Sequence, residues 1–307
     1  MKHKKKEILK IVIVSTIFLA LILAGQGTIG KSPNPPDGND ASGITLKPLT
    51  YNTQDKITFN VGVIAEAFAK AGPFNQSDES NSNSYVEEKT SDLYPTGGSS
   101  TWALIGLNVE DEDYWAEGQE SNYAKAMISG NSEITAHATS NSLSIVGSAQ
   151  SNPIEAIAKD VSNGQGGIDL TTSEAIATFS SSPTYKATIP FIVTESCHVI
   201  GSVCLWTLAG LLPEADLFET NAKISWSITG AYGGSGKIEL KTPNDLENKY
   251  ISGLINSGSH QLKVTFEFGH LLKGSAGNND SDNALSTSMM SAFMVNLHFK
   301  PFDTETR

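Results

Sequence analysis

Three stretches in the last third of the chain place an apolar side chain at every second position, and this period decides the fold class. Leu262, Val264, Phe266, Phe268 and Leu272 share one parity, with His270 among them; Met289, Ser291, Phe293, Val295, Leu297 and Phe299 repeat the pattern, as do Ile224, Trp226 and Ile228. Successive side chains of a strand point to opposite faces, so a period of two gives each strand one apolar face. A helix, with its period of 3.6, would scatter the same residues around its circumference. A fourth run near the start, Ile57, Phe59, Val61, Val63, Ala65, Ala67 and Ala69, obeys the same rule.

Between these runs lie clusters of Gly, Ser and Asn at residues 230–236, 256–259 and 274–283, the punctuation of tight turns. Further strand-like runs fall at 102–109, 123–128, 134–138, 143–149, 154–158, 175–179, 185–193 and 203–208, several with Ala and Ser where a sheet normally carries Val and Ile. Pro190 falls on the face opposite Tyr185, Ala187, Ile189, Phe191 and Val193, which marks an edge strand or a bulge. Residues 72–98, rich in Ser, Asn and acid, read as a long polar surface loop. Only residues 213–218 offer a turn of helix. The pattern predicts an all-β fold, a single jelly-roll-like β-sandwich within residues 51–307, its strands running from Ile57 to Phe299.

The sandwich follows two other segments. Residues 1–10 are strongly basic and residues 11–24 are an uncharged apolar stretch, the layout of a signal peptide, too short for the roughly 20 apolar residues of a spanning helix. Residues 1–30 are therefore expected to be a cleaved export signal, with an uncleaved N-terminal anchor as the alternative; contact with a membrane is expected only through that anchor. Residues 31–50, with four Pro and no apolar periodicity, read as a linker. The implied location is secreted or cell surface. The formal net charge is −12, and residues 1–30 hold five Lys and one Glu, so without them the balance is −16. An acidic body of this kind repels phosphate backbones, which excludes nucleic acid as the partner.

The order of strands resembles that of the bacterial secreted proteins that carry a C-terminal PEP-CTERM sorting tail. The resemblance rests on Ala/Ser-alternating strands, YAKAMISGNSEITAHATSNSLSIVGSAQ, followed by TYKATIPFIV, then LINSGSHQLKVTFEF, and last SAFMVNLHF. It covers residues 123–300 and is one of pattern; the sorting tail is not among these residues, which end KPFDTETR. It implies a surface-associated protein and transfers no catalytic residue.

Candidate sites are few. Cys197 and Cys204 flank Gly201-Ser202, a pair suited to a two-residue hairpin turn, so a disulfide between them and a pair of buried thiols are both open. The runs 108–113 and 278–283 are the densest in hard oxygen donors; in the second, Asp280 and Asp282 are the candidate ligands for a structural calcium ion. Asp113, Tyr114 and Trp115 place an aromatic pair in a polar context and are the candidate contact surface for a glycan. His137, His260, His270 and His298 are assigned to separate strands, and His270, on an apolar face, reads as a packed core histidine. The segment GGSGK at residues 233–237 fails as a phosphate loop, because Ala231 and Ile238 stand where Gly and Ser or Thr are needed. No pair among Glu110, Asp113, Glu133, Glu155, Glu174, Glu239 and Glu267 is selected by spacing for glycoside hydrolysis. The leading expectation is a noncatalytic matrix, adhesion or glycan-binding protein whose partner is an extracellular polysaccharide. The alternatives are a self-associating fibre subunit built by strand addition and a glycan-active hydrolase or lyase.

Overall fold

The alternating pattern is realised as two stacked antiparallel sheets in the computed structural model, which describes residues 47–70, 79–93, 97–114, 121–159, 172–182, 185–210, 218–277 and 282–302. Among the described residues there are fifteen strands and no helix. Sheet A runs, edge to edge, through β3 (Glu79–Asp92), β2 (Lys56–Lys70), β7 (Thr172–Ser181) with β8 (Lys186–Val193), β14 (Gly258–Gly277), β10 (Phe218–Ile228) and β12 (Ser235–Leu240). The short β1 (Leu49–Thr50) pairs with the end of β8, in line with β2. Sheet B runs through β11 (Ala231–Tyr232), β13 (Leu246–Ile255), β9 (Cys197–Ala209), β15 (Asp282–Pro301), β6 (Ser142–Lys159), β5 (Ser121–Ala138) and β4 (Gly97–Tyr114). From β8 onward every connection crosses from one sheet to the other, the wrapping of a jelly roll.

The inner faces hold the residues that the alternation selects. Phe179, Tyr185, Phe266 and Phe268 pack ring against ring on sheet A, and Phe266 meets Phe293 of sheet B with ring centroids 4.8 Å apart. Each such ring is worth about 2–3 kcal/mol in area removed from water. The Ala/Ser strands fit the same rule: on β6, Leu143, Ile145, Gly147 and Ala149 face inward, while Ser142, Ser144 and Ser148 face out. Glycine appears where a ring lies on the backbone. A Cβ on Gly130 would stand 2.7 Å from the Phe179 ring, and one on Gly147 would overlap its cross-strand partner Phe293.

Three polar ties cross the core. Tyr185 donates from its hydroxyl to the Glu133 carbonyl (3.1 Å) and accepts from Ser132 (2.9 Å). Tyr51 donates to the Thr139 carbonyl, and His270 Nε2 lies 2.9 Å from Ser291 Oγ. Burial pushes both phenols well above their usual range and pushes the His270 imidazole down to about 3, so His270 is neutral. It is the packed core histidine expected from its face.

Pro190 explains a break in sheet A. The N–H of Thr194 donates to Pro48, so even-numbered residues of β8 aim their N–H groups at the β1–β2 row, and the missing N–H of Pro190 faces the gap between β1 and β2. Registers shift by two residues between β7 and β8 against both β2 and β14, so the two strands occupy one row of the sheet.

Several expectations need correction. Much of the segment read as a polar loop, Glu79–Asp92, is the edge strand β3; its backbone pairs with β2 while its side chains stay wet, a state without apolar periodicity. The runs at 123–128 and 134–138 are one strand, β5, whose register against β6 shifts between Met127 and Ser129. His260 and His270 lie on one strand, β14. Phe218 opens β10, and residues 211–217 lie outside the described residues. Strand pairing begins at Leu49, within the stretch read as linker.

The expected hairpin at Gly201-Ser202 does not form. Both cysteines sit on the continuous strand β9, seven residues apart, which puts them on opposite faces and about 23 Å apart along the strand. A disulfide needs Cα atoms within about 7 Å, so these two thiols cannot pair with each other. Both are free, and burial raises both thiols above their ordinary range.

Candidate functional site

The two outward faces of the sandwich differ in chemistry. Sheet A presents interleaved charges. Lys223 bonds Glu267 at 2.8 Å, Lys273 pairs with Glu174, and Glu239 lies below the usual carboxylate range because Lys241 hydrogen-bonds it. Glu239 and Glu267 flank Lys223 on neighbouring strands, but both are solvent-facing and each is paired with a lysine, which gives neither the sheltered setting of a glycosidase acid. Two shallow cavities lie on this side. One, of about 350 Å³, is lined by Asn52, Asp55, Pro190 and His260, and its two ionisable side chains are engaged. His260 places Nδ1 2.6 Å from the Thr229 carbonyl and Nε2 2.9 Å from that of Asn256, and Asp55 accepts from the Asn52 N–H at 2.7 Å. The other, of about 530 Å³, lies around Phe68 and Ile176.

The outer face of sheet B, on its β11–β13–β9–β15 side, carries exposed apolar and aromatic side chains and few charges. Of the eight large apolar side chains left exposed among the described residues, six gather here: Tyr232 (87% exposed), Tyr250 (84%), Leu246, Leu254, Ile200 and Phe302. The register fixes their arrangement as rows crossing the strands. Tyr232, Leu254, His198 and Lys300 stand side by side on β11, β13, β9 and β15. The next row holds Ser252, Ile200, His298 and Ser142; the one after it, Tyr250, Ser202, Asn296, Ser144 and His137. Rows are about 6.7 Å apart and strands about 4.8 Å, so Tyr232 and Tyr250 lie about 14 Å apart at the rim of a floor of small hydroxyl and amide side chains.

Local sequence explains both tyrosines. Gly230 and Gly233 have φ of 75° and 74°, a conformation closed to most residues, and the turn they permit brings Ala231–Tyr232 back to pair with β13. Tyr250 has outward parity on β13, whose inward side chains include Ile251 and Ile255. Exposed apolar side chains gathered in one patch, with hydrogen-bonding groups among them, mark a contact surface rather than a solvated one.

The sequence-selected residues lie elsewhere. Asp113 and Tyr114 are strand, not loop: they end β4, paired with Asn122 and Ser121, at the opposite edge of sheet B from the tyrosine rim; Trp115 lies outside the described residues. The acidic run at 108–113 likewise belongs to β4 and forms no loop for calcium. Asp282 opens β15 opposite Lys159, while Asp280 lies outside the described residues, as do residues 1–46 with the export signal. Among the described residues no three His, Cys, Asp or Glu side chains are grouped to hold a metal ion, and no helix is long and apolar enough to cross a membrane. The His270–Ser291 pair resembles half of a nucleophilic relay, but both residues are fully buried and Nδ1 of His270 has no hydrogen-bond partner. A relay needs an orienting acceptor there.

No protein-family model matches the chain, and no curated protein matches it. Among solved structures, the carbohydrate-binding module TmCBM61 in complex with β-1,4-galactotriose is 13% identical, with 46% of this chain and 80% of that one covered and a TM-score of 0.19. The mosquito-larvicidal Cry4Aa toxin from Bacillus thuringiensis is 7% identical over 79% of this chain and 52% of its own, also with a TM-score of 0.19. Similarity at this level carries no functional argument.

Proposed function

We propose that this protein is a noncatalytic, extracellular binding module that holds a polysaccharide on the outer face of sheet B. One observation carries the reading: two tyrosines, 87% and 84% exposed, rise beside a floor of Ser202, Ser252, Asn296 and Ser144 on one face of one sheet. A sugar ring has an apolar face and a rim of hydroxyls. Tyrosine offers an apolar ring for the one, and serine and asparagine offer donors and acceptors for the other. The rigid sheet fixes these groups in advance, which lowers the entropy cost of binding. A hydrolase reading has no support from the described carboxylates, which sit apart or in ion pairs. The edge strand β3, fourteen residues long with an uncharged run SNSNSYV at 80–86, favours strand-addition fibres as a second reading. Filaments of the purified protein under electron microscopy would support it.

The deciding experiment is a glycan-array screen of the full chain with product analysis on every hit. Saturable binding with the glycan intact is the expected result. Released oligosaccharide, or no hit at all, overturns the proposal.

A further inference from the structure

We infer that the polysaccharide held on sheet B carries acidic groups, carboxylate or sulfate, and that one of them docks at the corner formed by His198, His298 and Lys300. This rests on the glycan-binding reading and specifies its ligand class. Lys300 stands directly opposite His198 on the neighbouring strand, and His298, two residues from Lys300, is diagonal to His198. Directly opposed side chains have Cβ atoms about 5 Å apart and diagonal ones about 7–8 Å, so the three groups converge on one point above the sheet. All three are exposed, and among the described residues none of their side chains has a hydrogen bond or ion pair; the Phe302 ring lies 4.7 Å from that of His198. By contrast, the lysines Lys223 and Lys273 on sheet A are matched with carboxylates.

The surroundings reinforce the point. Over residues 246–254 of β13, 198–208 of β9, 288–300 of β15 and 142–150 of β6, the stretches around the corner, no outward side chain is Asp or Glu, in a chain that has 33 of them; the first across the sheet is Glu133, on β5. The acidic residues of sheet A face the other way. Two sheets about 10 Å apart, plus side chains on each, put those charges beyond the Debye length of about 8 Å, so the local field governs a ligand on sheet B. One lysine and two imidazoles are too sparse for a nucleic acid, whose charge recurs at every phosphate. They match a glycan with an acidic group at intervals. The corner shares a row with Tyr232 and Leu254, so one chain crossing the strands reaches the tyrosine, the leucine and the basic corner together.

The test uses the full chain on an array of matched glycans, each backbone present in neutral, carboxylated and sulfated form, followed by titration of the hits with wild type and with His198→Gln/Lys300→Gln. The acidic forms should bind at least tenfold more tightly than their neutral partners, with the advantage reduced by added salt. The double variant should lose the advantage, keep the neutral-glycan affinity and unfold at the same denaturant midpoint. Preference for carboxylate or for sulfate identifies the source of the charge. Equal or tighter binding of the neutral forms, or an advantage that survives in the variant, overturns the inference and leaves the glycan reading intact. Binding of no glycan overturns both.

Discussion

Acidification should unfold this sandwich from within, through His270. Its imidazole is fully buried between Phe179, Phe268 and Ser291, and burial holds it neutral down to about pH 3. In the unfolded chain the same group takes a proton near pH 6.5. The folded value is depressed, so the contribution of this group is intact above pH 6.5 and is lost as pH falls towards 3. Each pH step below 6.5 removes about 1.4 kcal/mol, or about 3 kcal/mol by pH 4. That is a large share of a typical domain stability of about 5–15 kcal/mol. The assay is urea unfolding at pH 7, 6, 5 and 4 for wild type and His270→Leu. Carboxylates contribute equally to both proteins, so the difference between the two profiles isolates the histidine. The gap in stability should close by about 3 kcal/mol in favour of the variant between pH 7 and pH 4. Parallel profiles would mean that His270 is not held neutral, and the argument from burial would fail.

Other expectations follow from the packing. Gly130→Ala drives a methyl into the Phe179 ring and should cost about 1–3 kcal/mol in chemical denaturation, whereas an alanine at the half-buried, outward-facing Ser144 should change little. Tyr185→Phe leaves Ser132 without its phenol partner and should cost about 1–3 kcal/mol by the same assay. Because Cys197 and Cys204 lie on opposite faces of β9, a reducing agent should leave the melting temperature unchanged, and both thiols should react with a thiol reagent in urea without prior reduction.

The sheets were legible in the sequence because burial imposes a period. Phe266, Phe268, Phe293 and Val295 can alternate only if one face of each strand enters a core, and their inward parity is the one that the alternation demands. β3 was hidden for the opposite reason: its backbone is paired but both of its faces are wet, so no period is written into ESNSNSYVEEKTSD. The cysteine hairpin was misread because Gly201-Ser202 is turn-like in isolation. In the fold a Cβ on Gly201 would run into the backbone of Asn296, so that glycine serves close strand approach instead of a turn. Tyr250 was obscured because β13 carries apolar residues at both parities, Leu246 and Leu254 outward, Ile251 and Ile255 inward. Tyr232 did leave a signal. An aromatic inside the glycine-rich AYGGSG has no run of alternating neighbours to carry it into a core, a signal of exposure that the turn reading of residues 230–236 passed over.

The claim that sheet B is the binding face is tested most directly by placing matched substitutions on the two faces and titrating each variant with an array-positive glycan. Tyr232→Ala/Tyr250→Ala removes the rim of sheet B, and Phe68→Ala removes the one aromatic lining the larger cavity of sheet A. Loss of a stacked ring typically costs about 1–3 kcal/mol, so the tyrosine pair should weaken binding by at least tenfold with the unfolding midpoint unchanged. Phe68→Ala should bind as wild type does. Undiminished binding by the tyrosine variant, together with loss in Phe68→Ala, would place the ligand on sheet A and contradict the account.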